Sequence, residues 1–317
     1  MSTFNFQPAS WVPFRDKGVM DRVRNISGTD LEKHANKDFK IKVLLNPHPI
    51  MVGDMFKRIL ESDIQDKKVV MILPAPEPDT YGPVAELINL YRVNCRNVYV
   101  FMQDEWADEA GNIAPLTYKA GFGYSVMNYF YKAIDEDLRM PIENIVVPNN
   151  KNIGSYSDMI IDRGEGGADV IYTSPGWTGH VAFVDPMDDW NGADRIIKDL
   201  KDPYFSQKAK LTDIHPLTIA QNSLHGVFGQ SGDVANVPPK AATIGPFDLL
   251  HARNRIEIHA LLTNGTFSSW QRMTSRLVLH GPVTPAVPSS VLQLMPTNVY
   301  VSEALAAPFG CFETVGY

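Results

Sequence analysis

"KKVVMILPAPEPDTYGPVAELINLYRVNCRNVYVFMQDE", residues 67–105, decides the fold. Its first nine residues form a short apolar run that stops at a proline-rich loop, the pattern of a strand buried on both faces of a parallel sheet. Val84, Leu87, Ile88 and Tyr91 then recur at helical spacing. "NVYVFMQDE" (97–105) is a second apolar run that ends in polar residues. Strand, helix and strand within forty residues make a crossover unit, which joins parallel strands.

The pattern repeats outward from this unit. "YKAGFGYSVMNYFYKAIDED" (118–137) reads as a helix despite two glycines, and "PIENIVVPN" (141–149) as a turn into a short strand. "GSYSDMIIDRGE" (154–165) is helical, with Ser155 or Ser157 as a cap. "GADVIYTSPG" (167–176), "PKAATIGPFDLL" (239–250), "NRIEIHALLTNG" (254–265) and "TNVYVSEA" (297–304) are further strand candidates. In "TFSSWQRMTSRLVLHG" (266–281), Thr266 or Ser268 caps a helix that Gly281 ends. Such alternation predicts an α/β protein: an open, mostly parallel, doubly wound sheet with helices on both faces, Rossmann-like in layout. Residues 1–40 are polar and irregular and are expected to form an N-terminal arm on a single domain of 41–317. The stretch 205–237, Gly- and Ser-rich in its second half, reads as a surface excursion.

Composition narrows the function classes. The chain has 317 residues, 44% hydrophobic and 21% charged, with a net charge of -7, which disfavours nucleic acid or an anionic membrane as partner. Cys95 and Cys311 have no metal-like spacing and read as free thiols of a reducing compartment. No signal-peptide pattern opens the chain and no apolar run spans a bilayer, so a cytoplasmic location is expected, with no metal and no cofactor.

Ligands of open α/β sheets bind beyond the carboxyl ends of the strands. There stand "LPAPEPDTY" (73–81), "MQDEW" (102–106), "TSPGWTGH" (173–180) and "LLTNGTFSSW" (261–270). Asp104 and Glu105 leave a strand as neighbouring carboxylates, which raise each other's proton affinity. His180 exchanges protons near neutral pH, and Asp185 is close enough in sequence to orient it. The plainer alternatives are a solvated acidic turn, a structural histidine, and a tight turn at Gly176-Trp177-Thr178-Gly179.

"FMQDEW", "PIENIVVPN", "GWTGHVAFVDP", "ATIGPFDLL" and "VLQLMP" (291–296) occur in an order and spacing that resemble the glucosamine-6-phosphate deaminases, over about residues 67–305. These are aminosugar-phosphate isomerase/deaminases related to 6-phosphogluconolactonases and ribose-5-phosphate isomerases. The resemblance implies a small-molecule sugar as partner and a homo-oligomer. It implies that Asp104 moves a proton between C1 and C2 of the open-chain sugar, with Glu105 as the acid beside it. His180 would open the ring, and Asp185 would take the place of a glutamate that orients the histidine. Pro74, Ala75, Gly176, Trp177, Thr178, Gly179, Thr266 and Ser268 would line the substrate.

The chain also departs from the family pattern. Thr178 replaces an aspartate two residues before the histidine. The phosphate loop is "PAPEPDT" (74–80), whose prolines lack amide donors and whose Glu77 and Asp79 repel a dianion. The phosphate lysine has no match, Ser268 or Gln271 falling there, and the phosphate arginine meets Leu224 and His225. Either the substrate lacks the phosphate, or Arg272, His225 or a neighbouring subunit supplies the charge. The alternatives are a catalytically silent sugar-binding protein and a lactonase-type hydrolase.

Overall fold

The computed structural model describes residues 6–75, 78–260 and 269–309. Seven strands form one parallel sheet: β1 (Phe39–Leu44), β2 (Val69–Leu73), β3 (Val98–Met102), β5 (Ile145–Val146), β6 (Val170–Thr173), β9 (Asn254–His259) and β10 (Thr297–Ser302). Their spatial order is β1-β10-β9-β6-β2-β3-β5. The expected open α/β architecture is therefore present. Along β2 the side chains alternate between two cores, as the period of two in a strand demands. Val70 and Ile72 pack with Phe101 and Ile171 on one face, while Val69, Met71 and Leu73 pack with Val98 and Val100 on the other.

The direction of winding reverses between β2 and β6. From β2 the chain proceeds to β3 and β5 on one side; from β6 it proceeds to β9 and β10 on the other. The ends of β2 and β6 therefore diverge and leave a crevice, the place where such sheets bind ligands.

Several elements differ from their sequence reading. The run 97–105 is two strands. β3 ends at Met102, and β4 (Asp104–Ala107) leaves the parallel sheet for a small antiparallel one with β8 (Lys240–Thr243) and β7 (Lys210–Asp213), in the order β4-β8-β7. Gln103 is the joint. Its N–H donates to Leu73 O in the large sheet, and its carbonyl accepts from Ile244 N beside the small one. The run 239–250 is strand only to Thr243, because Gly245 and Pro246 start a helix, Pro246–His251. The stretch 118–137 is one short α-turn, Phe122–Ser125, followed by a wide turn Val126–Phe130 and a tight one Tyr131–Ala133. The excursion 205–237 contains β7 and the helix Pro216–Asn222, which packs into the core and builds one wall of the crevice. β1 and the long helix His48–Gln65 stand where no element was expected. Within residues 6–38, Phe14 and Leu31 are buried in one of the two main cores. Among the described residues no helix is long and apolar enough to cross a membrane.

Candidate active site

The crevice is a cavity of about 160 Å³, room for roughly five waters. Its wall comes from every element that ends there: Pro74 and Ala75 after β2, Gln103 and Asp104 after β3, Thr173 to Gly176 after β6, and Ile258 and Ala260 from β9. His180, Ala182 and Phe183 close one side, and Gln221, Asn222 and His225 another. His48, Met51, Thr80, Tyr81 and Phe122 complete it. Asp104 and His180, 76 positions apart in sequence, thus face one hollow.

His180 is held from behind. Its Nδ1 lies 3.1 Å from Asp185 Oδ1 and 3.0 Å from the Thr218 hydroxyl. Thr218 donates its own proton to Asp185 Oδ1 (2.8 Å), so Nδ1 carries the hydrogen and donates. Nε2 is left as the proton-exchanging atom. It sits directly over Gly176, where a Cβ would fall 1.9 Å from Nε2. Gly176 is required by this close approach; Gly179, by contrast, needs its positive φ of 78°. Past His180 the chain folds into a tight turn closed by a Val181–Val184 bridge, with Ala182 at φ 50°, a strained value for a residue with a Cβ. That turn returns Asp185 to the imidazole. Ser289 locks the loop, its N–H donating to Gly179 O (2.7 Å) and its hydroxyl to His180 O (3.0 Å).

Asp185 is wholly buried. Burial pushes its carboxyl up, but His180, the His215 N–H (2.9 Å) and Thr218 together hold it below the usual carboxylate range. Thr178 adds a fourth donor at 2.8 Å. The residue that replaces the family's aspartate thus acts as a neutral anchor for Asp185. Thr178 itself, Trp177 and Gly179 do not line the cavity. The Trp177 ring stacks on Trp270 at 6.0 Å, and the backbone N–H of Trp177 donates to Gln221 Oε1 (2.6 Å).

Asp104 is the electrostatic opposite. It is 5% exposed, and its Oδ1 has no hydrogen-bond partner. Burial, then the neighbouring Glu105, raises its carboxyl well above the ordinary range. Glu105 faces away from the cavity. It accepts from its neighbour Trp106 N (2.8 Å), Phe122 N (3.2 Å) and Gly123 N (2.6 Å). Burial pushes it up to about 7 against those three bonds. Gly121 and Gly123 admit it closely: a Cβ on either would stand 3.1 Å from a carboxylate oxygen. The geometry makes Glu105 a tie for the loop 121–123, and an electrostatic neighbour of Asp104, with no path to a ligand.

The structure brings Pro74, Ala75, Asp104, Gly176 and His180 to one cavity, with Asp185 behind His180. Thr266 and Ser268 lie outside the described residues. Sequence reasoning missed His48, Gln103, Thr218, Gln221 and Asn222. His48 and the helix carrying Thr218 to Asn222 stand in stretches that showed no strand or helix pattern; Gln103 was hidden inside a strand. No cluster of three His, Cys, Asp or Glu with metal-holding geometry occurs among the described residues.

Comparison with known proteins agrees with the motif reading. No family model matches the chain. Glucosamine-6-phosphate deaminase 2 of Bacillus subtilis (strain 168) is 25% identical over 264 residues, covering 80% of this chain and 91% of that protein. The glucosamine-6-phosphate deaminase of Corynebacterium kroppenstedtii is 24% identical over 280 residues, covering 87% and 95%. Among solved structures, a monomeric glucosamine-6-phosphate deaminase superposes with a TM-score of 0.64 at 17% identity, over 84% of this chain and 99% of that one. A 6-phosphogluconolactonase from Thermotoga maritima gives 0.53 at 15% identity, over 83% and 98%. These two structures establish the shared fold.

Proposed function

We propose that this chain, a divergent relative of the glucosamine-6-phosphate deaminases, is an enzyme that opens an amino sugar and moves a proton between C1 and C2. The observation that carries the reading is the meeting, in one cavity, of a carboxyl whose Oδ1 has no partner and an imidazole with a buried anion behind it.

In this reading His180 Nε2 delivers a proton to the ring oxygen while the C1–O bond breaks and the C1 hydroxyl loses its proton to give the aldehyde. Asp185 stabilises the imidazolium that precedes the transfer. The carboxylate of Asp104 then removes the C2 hydrogen. The electron pair forms the C1–C2 double bond, and the carbonyl oxygen takes up a proton. Return of the proton from Asp104 to C1 leaves an iminium at C2, which water hydrolyses to a ketose and ammonia. If C2 bears a hydroxyl, the same two transfers yield a ketose without water. A carboxyl whose proton affinity is raised in the empty site becomes a stronger base once ionised, because burial opposes its charge.

The test is ammonia and ketose release from 2-amino-2-deoxyhexoses, with and without a 6-phosphate, by the full chain. Turnover that falls at least 100-fold in both Asp104→Asn and His180→Ala supports the reading. Absence of turnover on every sugar, or a His180→Ala variant as active as the parent, overturns it. Parallel assays on hexonolactones address the lactonase reading.

A further inference from the structure

Among the described residues no lysine or arginine lines the cavity to receive a phosphate; its imidazoles are His180, His225 and His48, the last at the start of the helix His48–Gln65. Residues 1–5, 76–77, 261–268 and 310–317 contain no lysine or arginine, so every such residue lies in the described part. Arg272, the one replacement cation considered from the sequence, stands off the wall, and His225 is on it as an imidazole whose burial, with His180 nearby, opposes protonation. His180 is already matched by Asp185.

Much of the remaining lining is apolar. Met51, Pro74, Ala75, Tyr81, Ile258 and Ala260 face in, and the Tyr81 hydroxyl donates to Pro74 O (3.0 Å). The loop after β2, where the resemblance places a phosphate cradle, contributes Pro74 and Ala75, and Pro74 has no amide hydrogen. A dianion there would give up its hydration with no ammonium or guanidinium to replace it. Asp104, which lines the same cavity, would repel it once ionised. That acid, 5% exposed, also has a buried oxygen, Oδ1, with no donor aimed at it. An ammonium group is the ligand feature that would satisfy the oxygen and balance the charge together.

We infer that the site takes an unphosphorylated amino sugar, its amine donating to Asp104 and its far end resting on Met51, Ala75, Tyr81 and Ile258. This rests on the proposed function only in placing C1 and C2 between Asp104 and His180. The ligand class follows from the charges of the wall.

The experiment compares D-glucosamine, its 6-phosphate and D-glucose as substrates. It also compares two non-reacting open-chain probes, glucosaminitol and glucosaminitol 6-phosphate, by calorimetry at pH 7.5. Glucosamine is expected to exceed its 6-phosphate at least 100-fold in kcat/KM, and glucosaminitol to bind at least tenfold tighter than its phosphate. Turnover favouring the phosphate overturns the inference and leaves the reaction standing. Absent turnover with the expected order of binding supports the ligand class and sinks the reaction. Equal binding of the two alditols, or binding of neither, overturns the inference. Ala75→Lys, on a half-buried loop position, supplies the missing charge. It is expected to shift the ratio toward the phosphate by at least tenfold, and a folded variant with an unchanged ratio would contradict the placement of the far end.

Discussion

Replacing Gly176 by alanine tests the position of the reacting nitrogen. The new Cβ would fall 1.9 Å from His180 Nε2, 2.2 Å from Cε1 and 2.5 Å from Cδ2. Carbon and nitrogen in ordinary contact sit near 3.5 Å, so the ring must withdraw by about 1.5 Å. Behind it stand Asp185 Oδ1 and Thr218 Oγ1, at 3.1 and 3.0 Å from Nδ1. The ring cannot retreat through them and must swing, breaking both contacts. A hydrogen bond to a charged group contributes about 1.5–3 kcal/mol. Against that, alanine restricts the unfolded chain and returns about 0.4–1 kcal/mol, since Gly176 has no positive φ to forbid it. The net loss is about 1–2 kcal/mol, a fall of roughly 1.5–3 °C in Tm for a chain this long. Turnover should suffer far more, because a displacement of about 1 Å at a reacting group costs on the order of 100-fold. The measurements are kcat on the best amino sugar, a thermal melt, and the ¹⁵N shift of the His180 ring. Gly179→Ala is the control: its Cβ meets a Val287 methyl at 2.6 Å, and its φ of 78° is strained, so it should lose stability with a smaller loss of rate. A Gly176→Ala protein that keeps its rate within threefold would refute the placement of the imidazole.

Other expectations follow from the same contacts. Asp104 must be ionised to act as a base, and burial, then Glu105, raises its carboxyl; kcat/KM should therefore climb with pH through a limb lying well above the ordinary carboxylate range. Glu105→Gln removes the like charge, so this limb should move to lower pH; a limb that stays in place would show that Glu105 does not act on Asp104. The same two acids govern stability. Their protons are bound more tightly in the folded state, so the fold is favoured below the unfolded values and loses stability as pH rises, for Glu105 between about 4.5 and about 7. Denaturant melts at pH 5 and pH 8 should show a drop of the order of 3 kcal/mol for the Glu105 contribution alone, and Asp104→Asn should be inactive yet less sensitive to that change. Thr178→Val deprives buried Asp185 of one donor and should cost about 1–2 kcal/mol, read as a lower denaturation midpoint; unchanged stability would mean that Thr178 does not anchor the acid.

The sheet was legible because parallel strands buried on both faces must be continuously apolar, and 69–73, 98–102 and 170–173 are. β1 was not, because its buried pattern is alternating and weak: Phe39 and Ile41 face in while Lys40 and Lys42 do not. The end of β3 was misjudged for a different reason. Nothing local in "FMQDEW" reports that the strand changes sheets, since the cause is the bonding of Gln103 to Leu73 on one side and Ile244 on the other. The helix Pro216–Asn222 was hidden because its stability comes from buried Thr218, Gln221 and Asn222, polar residues that a search for apolar periodicity passes over.

The same limit governs the site. Asp104 and His180 could be picked out as acids and bases at strand ends, but their roles differ through partners far away in sequence. Asp185 is drawn down by His180, by the amide of residue 215 and by the hydroxyl of residue 218, while Asp104, with no donor on Oδ1, is driven up. Two buried aspartates of the same chain are thus shifted in opposite directions, one toward holding its charge and one toward holding its proton. Thr178 serves the first of these tasks. An acid in its place, two residues before the histidine, would put a second negative charge beside Asp185, and one of the two carboxyls would then stay protonated. The hydroxyl leaves Asp185 as the anion behind the imidazole, so the departure at position 178 is compatible with a working proton relay.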